Sequence, residues 1–155
     1  KTNEIINGGT DWAYEEEFGF TRAFFWSPDS KKLLYYKFGE RQVPQFVMPI
    51  YDNLYPTNYT FKYPKAGEKN AVVSMHLYDL TNKVHHLIGT GDNPDQYIAR
   101  AGWTNDANTA WIQPVNRHQN KVELLFINAI SITTRVVLTE TSEQWVDIHD
   151  DLTFL

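Results

Sequence analysis

The strongest constraint on this chain is a plan that occurs twice. Residues 97–103, 109–115, 121–128 and 134–138 read as four short strands, joined by the turns Thr104-Asn105-Asp106-Ala107-Asn108 and Arg117-His118-Gln119-Asn120 and a loop. The same order of strand and turn occurs upstream at 21–25, 31–38, 71–79 and 84–88. Within 71–79, Val73, Met75 and Leu77 fall on one side and Ser74, His76 and Tyr78 on the other, the period-2 pattern of a half-buried strand. Matching Trp26 to Trp103 and Asp79 to Asn128 gives spacings of 53 and 25 residues, an excess of 28 in the first unit. Four short antiparallel strands per repeat is the sequence pattern of a β-propeller blade. A single antiparallel sandwich with evenly spaced strands also fits strand spacing alone.

The excess falls in residues 39–70, which hold Pro44, Pro49, Pro56 and Pro64 together with Tyr51, Tyr55, Tyr59, Phe61 and Tyr63. Proline cannot donate to a ladder, so prolines at this density exclude a central strand and predict an excursion or an edge arm.

Upstream lies Asp11-Trp12-Ala13-Tyr14-Glu15-Glu16-Glu17-Phe18-Gly19, three adjacent carboxylates among aromatics. A charge run ordinarily faces water. Here Trp12, Tyr14, Phe18 and Phe20 demand burial, so the acids sit on a short segment clamped to a core, and Gly19 offers a helix stop. Residues adjacent on a helix diverge by about 100°, so Glu16 and Glu17 reach one ligand only near a helix end. Neighbouring acids on one segment do not suit glycoside hydrolysis, whose carboxylates face each other across the scissile bond. They suit a cation such as an ammonium, whose three donors two carboxylates largely satisfy.

Composition sets the remaining bounds. A chain of 155 residues is about one ordinary domain, and aromatics at 15% favour strands and large buried areas. The net charge of -5 argues against a nucleic-acid partner. There are no cysteines, and no apolar run approaches the roughly 20 residues that span a bilayer. Ser27, Ser30, Ser74, Ser131 and Ser142 all lie outside a Gly-x-Ser-x-Gly elbow, so no catalytic residue is assigned. His85 and His86 point to opposite faces of a strand, and His76, His118 and His149 lack metal-ligand spacing. The run Asp147, His149, Asp150, Asp151 reads as a solvated loop. No metal or cofactor is expected. The Asn58-Tyr59-Thr60 sequon matters only in a secreted eukaryotic protein.

The motif Asp-Trp-x-Tyr-Glu-Glu-Glu, followed by Trp26-Ser27-Pro28-Asp29, Tyr63-Pro64-Lys65-Ala66-Gly67 and Arg117-x-Gln119-Asn120, resembles the propeller domain of the dipeptidyl peptidase IV family of serine exopeptidases. The resemblance covers most of the chain. It implies an all-β partial β-propeller with a short helical acidic segment: about two four-stranded blades and the edges of their neighbours. On that plan 1–25 is the acidic motif and blade start, 39–70 the arm, 97–140 the second blade and 143–155 the start of the next. By motif position it implies that Glu16 and Glu17 bind the free N-terminal amine of a peptide with penultimate Pro or Ala, and that the arm from Gln45 to Asn70 joins a homodimer. It also implies an exported parent, periplasmic or at the cell surface. The family's Ser-Asp-His triad lies on a separate hydrolase domain, so this piece alone is expected to be inactive. An alternative from the same resemblance is a non-catalytic binding or regulatory subunit. After Trp145-Val146 the sequence Asp147-Ile148-His149-Asp150 departs from the family pattern of a pocket arginine and an aromatic.

Overall fold

The computed structural model describes residues 4–91 and 93–155. Asp92, part of the loop expected at 89–94, and the polar residues Lys1 to Asn3 lie outside them. The elements in chain order are β1 (Ile5–Asn7), α1 (Trp12–Phe18), β2 (Phe24–Trp26), β3 (Lys32–Gly39), β4 (Gln45–Ile50), β5 (Thr57–Lys62), β6 (Val72–Asp79), β7 (Val84–Ile88), β8 (Gln96–Trp103), β9 (Thr109–Asn116), β10 (Lys121–Asn128) and β11 (Thr133–Thr141).

They form two antiparallel four-strand meanders and a ribbon. The first blade runs β2-β3-β6-β7, with β1 beside β2 along the same edge of β3; the second runs β8-β9-β10-β11; β4 and β5 pair only with each other. The sheets do not close, and the architecture is a partial β-propeller. Against the sequence reading, the first strand is shorter and later than 21–25, because Arg22 and Ala23 are occupied in closing an insertion.

That insertion positions the candidate site. β1 pairs with β3 from Ile5↔Gly39 to Asn7↔Lys37, and β2 resumes at Phe24↔Tyr35. Between them Tyr36 uses its backbone carbonyl to accept from Gly8 N–H and its own N–H to donate to the Ala23 carbonyl, at 3.0 Å each. Ala23 N–H donates to Gly8 O at 3.1 Å, and Gly9 bridges Arg22. The edge strand is therefore one ladder whose chain leaves at Gly8 and returns at Ala23. Gly8 has φ of +70°, a turn that a side chain would strain.

The turns use one device repeatedly. Asp79 Oδ1 accepts from the N–H groups of Thr81 and Asn82, Asn116 Oδ1 from Asn120 and Lys121, and Asn128 Oδ1 from Ile130 and Ser131. Asp29 accepts from Lys31 N–H and the Ser27 hydroxyl, and Asp106 from Asn108 N–H. Each side chain substitutes for a backbone acceptor in its hairpin.

The blades pack face to face around one core. Leu34, Tyr36, Phe38, Met75, Leu77 and Ile88 of the first meet Ile98, Ala101, Ala110, Ile112, Leu125 and Ile127 of the second. Full burial of an aliphatic side chain of this size is worth about 1.5–3 kcal/mol. Polar ties cross the same seam: Trp103 Nε1 donates to Phe25 O at 2.9 Å, and Lys32 Nζ to Ala107 O at 3.3 Å.

The proline-rich segment is a ribbon with Pro49 opposite Asn58, which two edge strands tolerate. Val47, Met48, Tyr51, Leu54, Tyr55 and Tyr59 on it are exposed. Residues 143–155 form no ladder. They lie on the far face of the second blade, where Val146 is buried and the Phe154 ring sits 6.2 Å from Trp111 and 6.0 Å from Phe126.

Candidate functional site

The acidic segment folds as predicted, into a helix of seven residues. Asp11 caps its start: Oδ1 accepts from Tyr14 N–H at 3.0 Å. Gly19, at φ +71°, ends it in the left-handed conformation. Asp11 is buried, and desolvation raises its carboxyl above the usual range despite the cap hydrogen bond. Glu40, also buried, is raised by desolvation and then by the charge of Asp11.

Tyr14 seats the helix. It is 2% exposed, with its ring 4.8 Å from Phe38 and 4.9 Å from Phe18. Its phenolic oxygen accepts from Ile98 N–H at 2.8 Å, and the Tyr36 hydroxyl donates to Ile98 O at 3.1 Å. Burial pushes both phenols above their ordinary value, so both stay protonated at neutral pH. The two tyrosines thus satisfy both backbone groups of Ile98 on the free edge of β8, which would otherwise be buried unpaired. On the opposite side, Trp12 packs edge-on to Tyr63 at the base of the ribbon, 4.3 Å between centroids.

With Tyr14 and Phe18 turned inward, Glu15, Glu16 and Glu17 remain exposed. Glu16 and Glu17 stand in the last turn, where the helix end carries partial negative charge and the helix has no basic residue. Among the described residues neither carboxylate has an ion-pair partner. Glu17 lines a cavity of about 370 Å³ with Trp12, Tyr63, Lys65, Tyr97 and Arg117, whereas Glu16 does not. Adjacent carboxylates at a helix C-terminus are locally unfavourable, and the cations Lys65 and Arg117 share the Glu17 cavity without forming an ion pair with it.

Two residues not singled out as partners in the sequence complete the surroundings. Arg100 Nη1 donates to Phe18 O at 3.0 Å and to Ala99 O at 2.9 Å. Its Nε and Nη2 hold the two carboxylate oxygens of Asp150. Residues 147–151 form an exposed loop as read, to which the structure adds one partner: the Asp150 carboxyl, still mostly exposed, is held below the usual range by the Arg100 guanidinium. The sequence signal for this partner is an arginine within the strand read at 97–103. Arg117 lies over the Tyr97 ring at 5.5 Å, and Gln119, at φ +54°, makes the turn expected there.

Comparison with known proteins agrees with this arrangement. All 155 residues match the family model described as dipeptidyl peptidase IV (DPP IV) N-terminal region. The crystal structure of Porphyromonas gingivalis dipeptidyl peptidase 4 superposes with a TM-score of 0.89 at 39% identity, over 94% of this chain and 21% of that one. Dipeptidyl peptidase 4 of Trichophyton equinum is 30% identical over 93% of this chain and 20% of its own length. Venom dipeptidyl peptidase 4 of Vespula vulgaris is 32% identical over 93% of this chain and 20% of its own. The chain spans about a fifth of the length of these relatives. Its blades, its capped acidic helix and its full-length match together establish that it belongs to the N-terminal region of the dipeptidyl peptidase IV family.

Proposed function

We propose that this chain is the amine-recognition part of a post-proline dipeptidyl peptidase, with Glu16 and Glu17 binding the free N-terminus of the peptide. The observation that carries the reading is the exposed, unpaired glutamate pair in the last turn of a helix whose other face is fixed by Tyr14. An ammonium brings three donors and a full charge to two carboxylates, while an acetylated N-terminus brings one weak donor and no charge. Anchoring the amine sets which peptide bond reaches a serine elsewhere in the parent, so two residues leave at a time, with Pro or Ala second. The serine chemistry belongs to the parent.

The exposed apolar ribbon supports a homodimer contact through the arm from Gln45 to Asn70. The venom relative supports export of the parent; among the described residues no helix is long and apolar enough to cross a membrane.

The test uses the parent polypeptide with a chromogenic Xaa-Pro substrate and its N-acetylated twin. Cleavage of the free-amine form alone supports the reading. Equal cleavage of both defeats the carboxylate clamp, and cleavage of neither in a folded parent favours a non-catalytic binding subunit.

A further inference from the structure

The helix that carries the glutamate pair is only two turns long, and short helices fray at their ends. Its N-terminus is held by the Asp11 cap and its middle by Tyr14, and in the last turn the Phe18 ring packs on Tyr14 and Tyr97, but neither of those side-chain hydrogen bonds fixes the backbone of the turn where Glu16 and Glu17 stand. Arg100 does. The β8–β9 ladder shifts register between Ile98 and Arg100, and such a bulge re-aims the side chain that follows it. From there Nη1 reaches the carbonyl of Phe18, the residue after Glu17, at 3.0 Å. The remaining donors are committed: Nη1 also to Ala99 O, and Nε and Nη2 to Asp150 as a two-pronged pair. A planar guanidinium with both edges held has almost no rotational freedom.

We infer that Arg100 is a positioning residue for amine recognition, fixing the last turn of α1 and with it the direction of Glu16 and Glu17, while Asp150 holds Arg100. The arrangement also settles a conflict of charge. A free guanidinium beside the pair would compete with the substrate ammonium for the carboxylates. Asp150 pairs with it, so that Arg100 adds less positive charge beside the pair than an unpaired guanidinium would, while Lys65 and Arg117 remain across the Glu17 cavity.

This inference rests on the proposed role of Glu16 and Glu17, and the experiment separates the two. In the parent protein, titration calorimetry gives dissociation constants for alanyl-pyrrolidide and for its des-amino twin, propionyl-pyrrolidide. The two ligands differ only in the ammonium. Arg100→Gln is expected to weaken the alanyl ligand roughly tenfold to a hundredfold, the scale of a small misplacement of binding groups, and to leave the propionyl ligand unchanged. Asp150→Asn is expected to act in the same direction, and Arg100→Lys, which keeps one donor for Phe18 O, to fall between. Equal weakening of both ligands marks a general structural role and overturns the inference, as does no change in either. If Glu16→Gln and Glu17→Gln leave the ratio of the two ligands at its wild-type value, the proposed function itself fails, whatever Arg100 does.

Discussion

The phenolic oxygen of Tyr14 accepts a hydrogen bond from the backbone N–H of Ile98 at 2.8 Å, joining the acidic helix of one blade to the inner edge of the next. Tyr14→Phe keeps the ring and removes the acceptor, leaving a buried N–H unpaired. The expected cost is about 1–3 kcal/mol, measured by denaturant unfolding. A variant as stable as the wild type would show that the hydroxyl carries no weight.

Glu16→Gln and Glu17→Gln each remove one charged partner from the proposed ammonium site. In the parent enzyme, kcat/KM for a free-amine substrate is expected to fall by the equivalent of about 2–5 kcal/mol. Specificity constants unchanged in both variants would defeat the assignment.

Asp11 combines a cap that an amide can supply with a charge that burial disfavours. Asp11→Asn is therefore expected to match or exceed the wild-type melting temperature at neutral pH, whereas Asp11→Ala loses the cap at about 1 kcal/mol. If Asn is as damaging as Ala, the charge matters more than the hydrogen bond.

Among the described residues, four carboxyls are held below the usual range: Asp29 by the Ser27 hydroxyl, Asp79 by Asn82 N–H, Asp106 by Asn108 N–H and Asp150 by Arg100. A depressed folded pKa gives stability that is present above the unfolded value and lost as pH falls through the folded one. Asp11 and Glu40, raised by burial, run the opposite way and gain as pH falls. Asp79→Asn with Asp106→Asn is thus expected to lose less stability than the wild type when acidified below the ordinary aspartate range. Thermal melts across that range test this; identical acid slopes would refute it.

The ribbon predicts an oligomer. Leu54 and Tyr55, 91% and 78% exposed, sit at its tip, and Leu54→Asp with Tyr55→Asp in the parent is expected to shift a dimer toward monomer in sedimentation. A dimer of unchanged affinity would place the contact elsewhere. Isolated, the chain leaves β7 and β11 as open edges and is expected to self-associate; a monomer at high concentration would contradict that.

The residues that spoke clearly in the sequence were those obeying a local rule. The period-2 face of β6, the proline load of the ribbon and the stop at Gly19 each follow from backbone chemistry within a few positions, and each is found in place. The helix and its exposed acids were legible for the same reason. What stayed hidden was non-local. Nothing near Tyr14 announces Ile98, and nothing near Arg100 announces Asp150, because those partners meet only after the blades stack. The split of the inner strand into β1 and β2 was obscured for a related reason: Ile5-Ile6 is too short a run to declare itself a strand without Gly39 and Phe38 opposite it.

That split has a consequence for how such a protein can change. Because Tyr36 receives both Gly8 and Ala23, the register of β3 is indifferent to what is strung between them. The span from 9 to 22 behaves as a cassette plugged into a fixed socket. The pairing of β1 and β2 with β3 does not depend on the length strung between them, so the exposed acids can be rewritten without shifting the blade's register, provided that the anchors Tyr14, Phe18 and Phe20, which fill the seam between the blades, are kept.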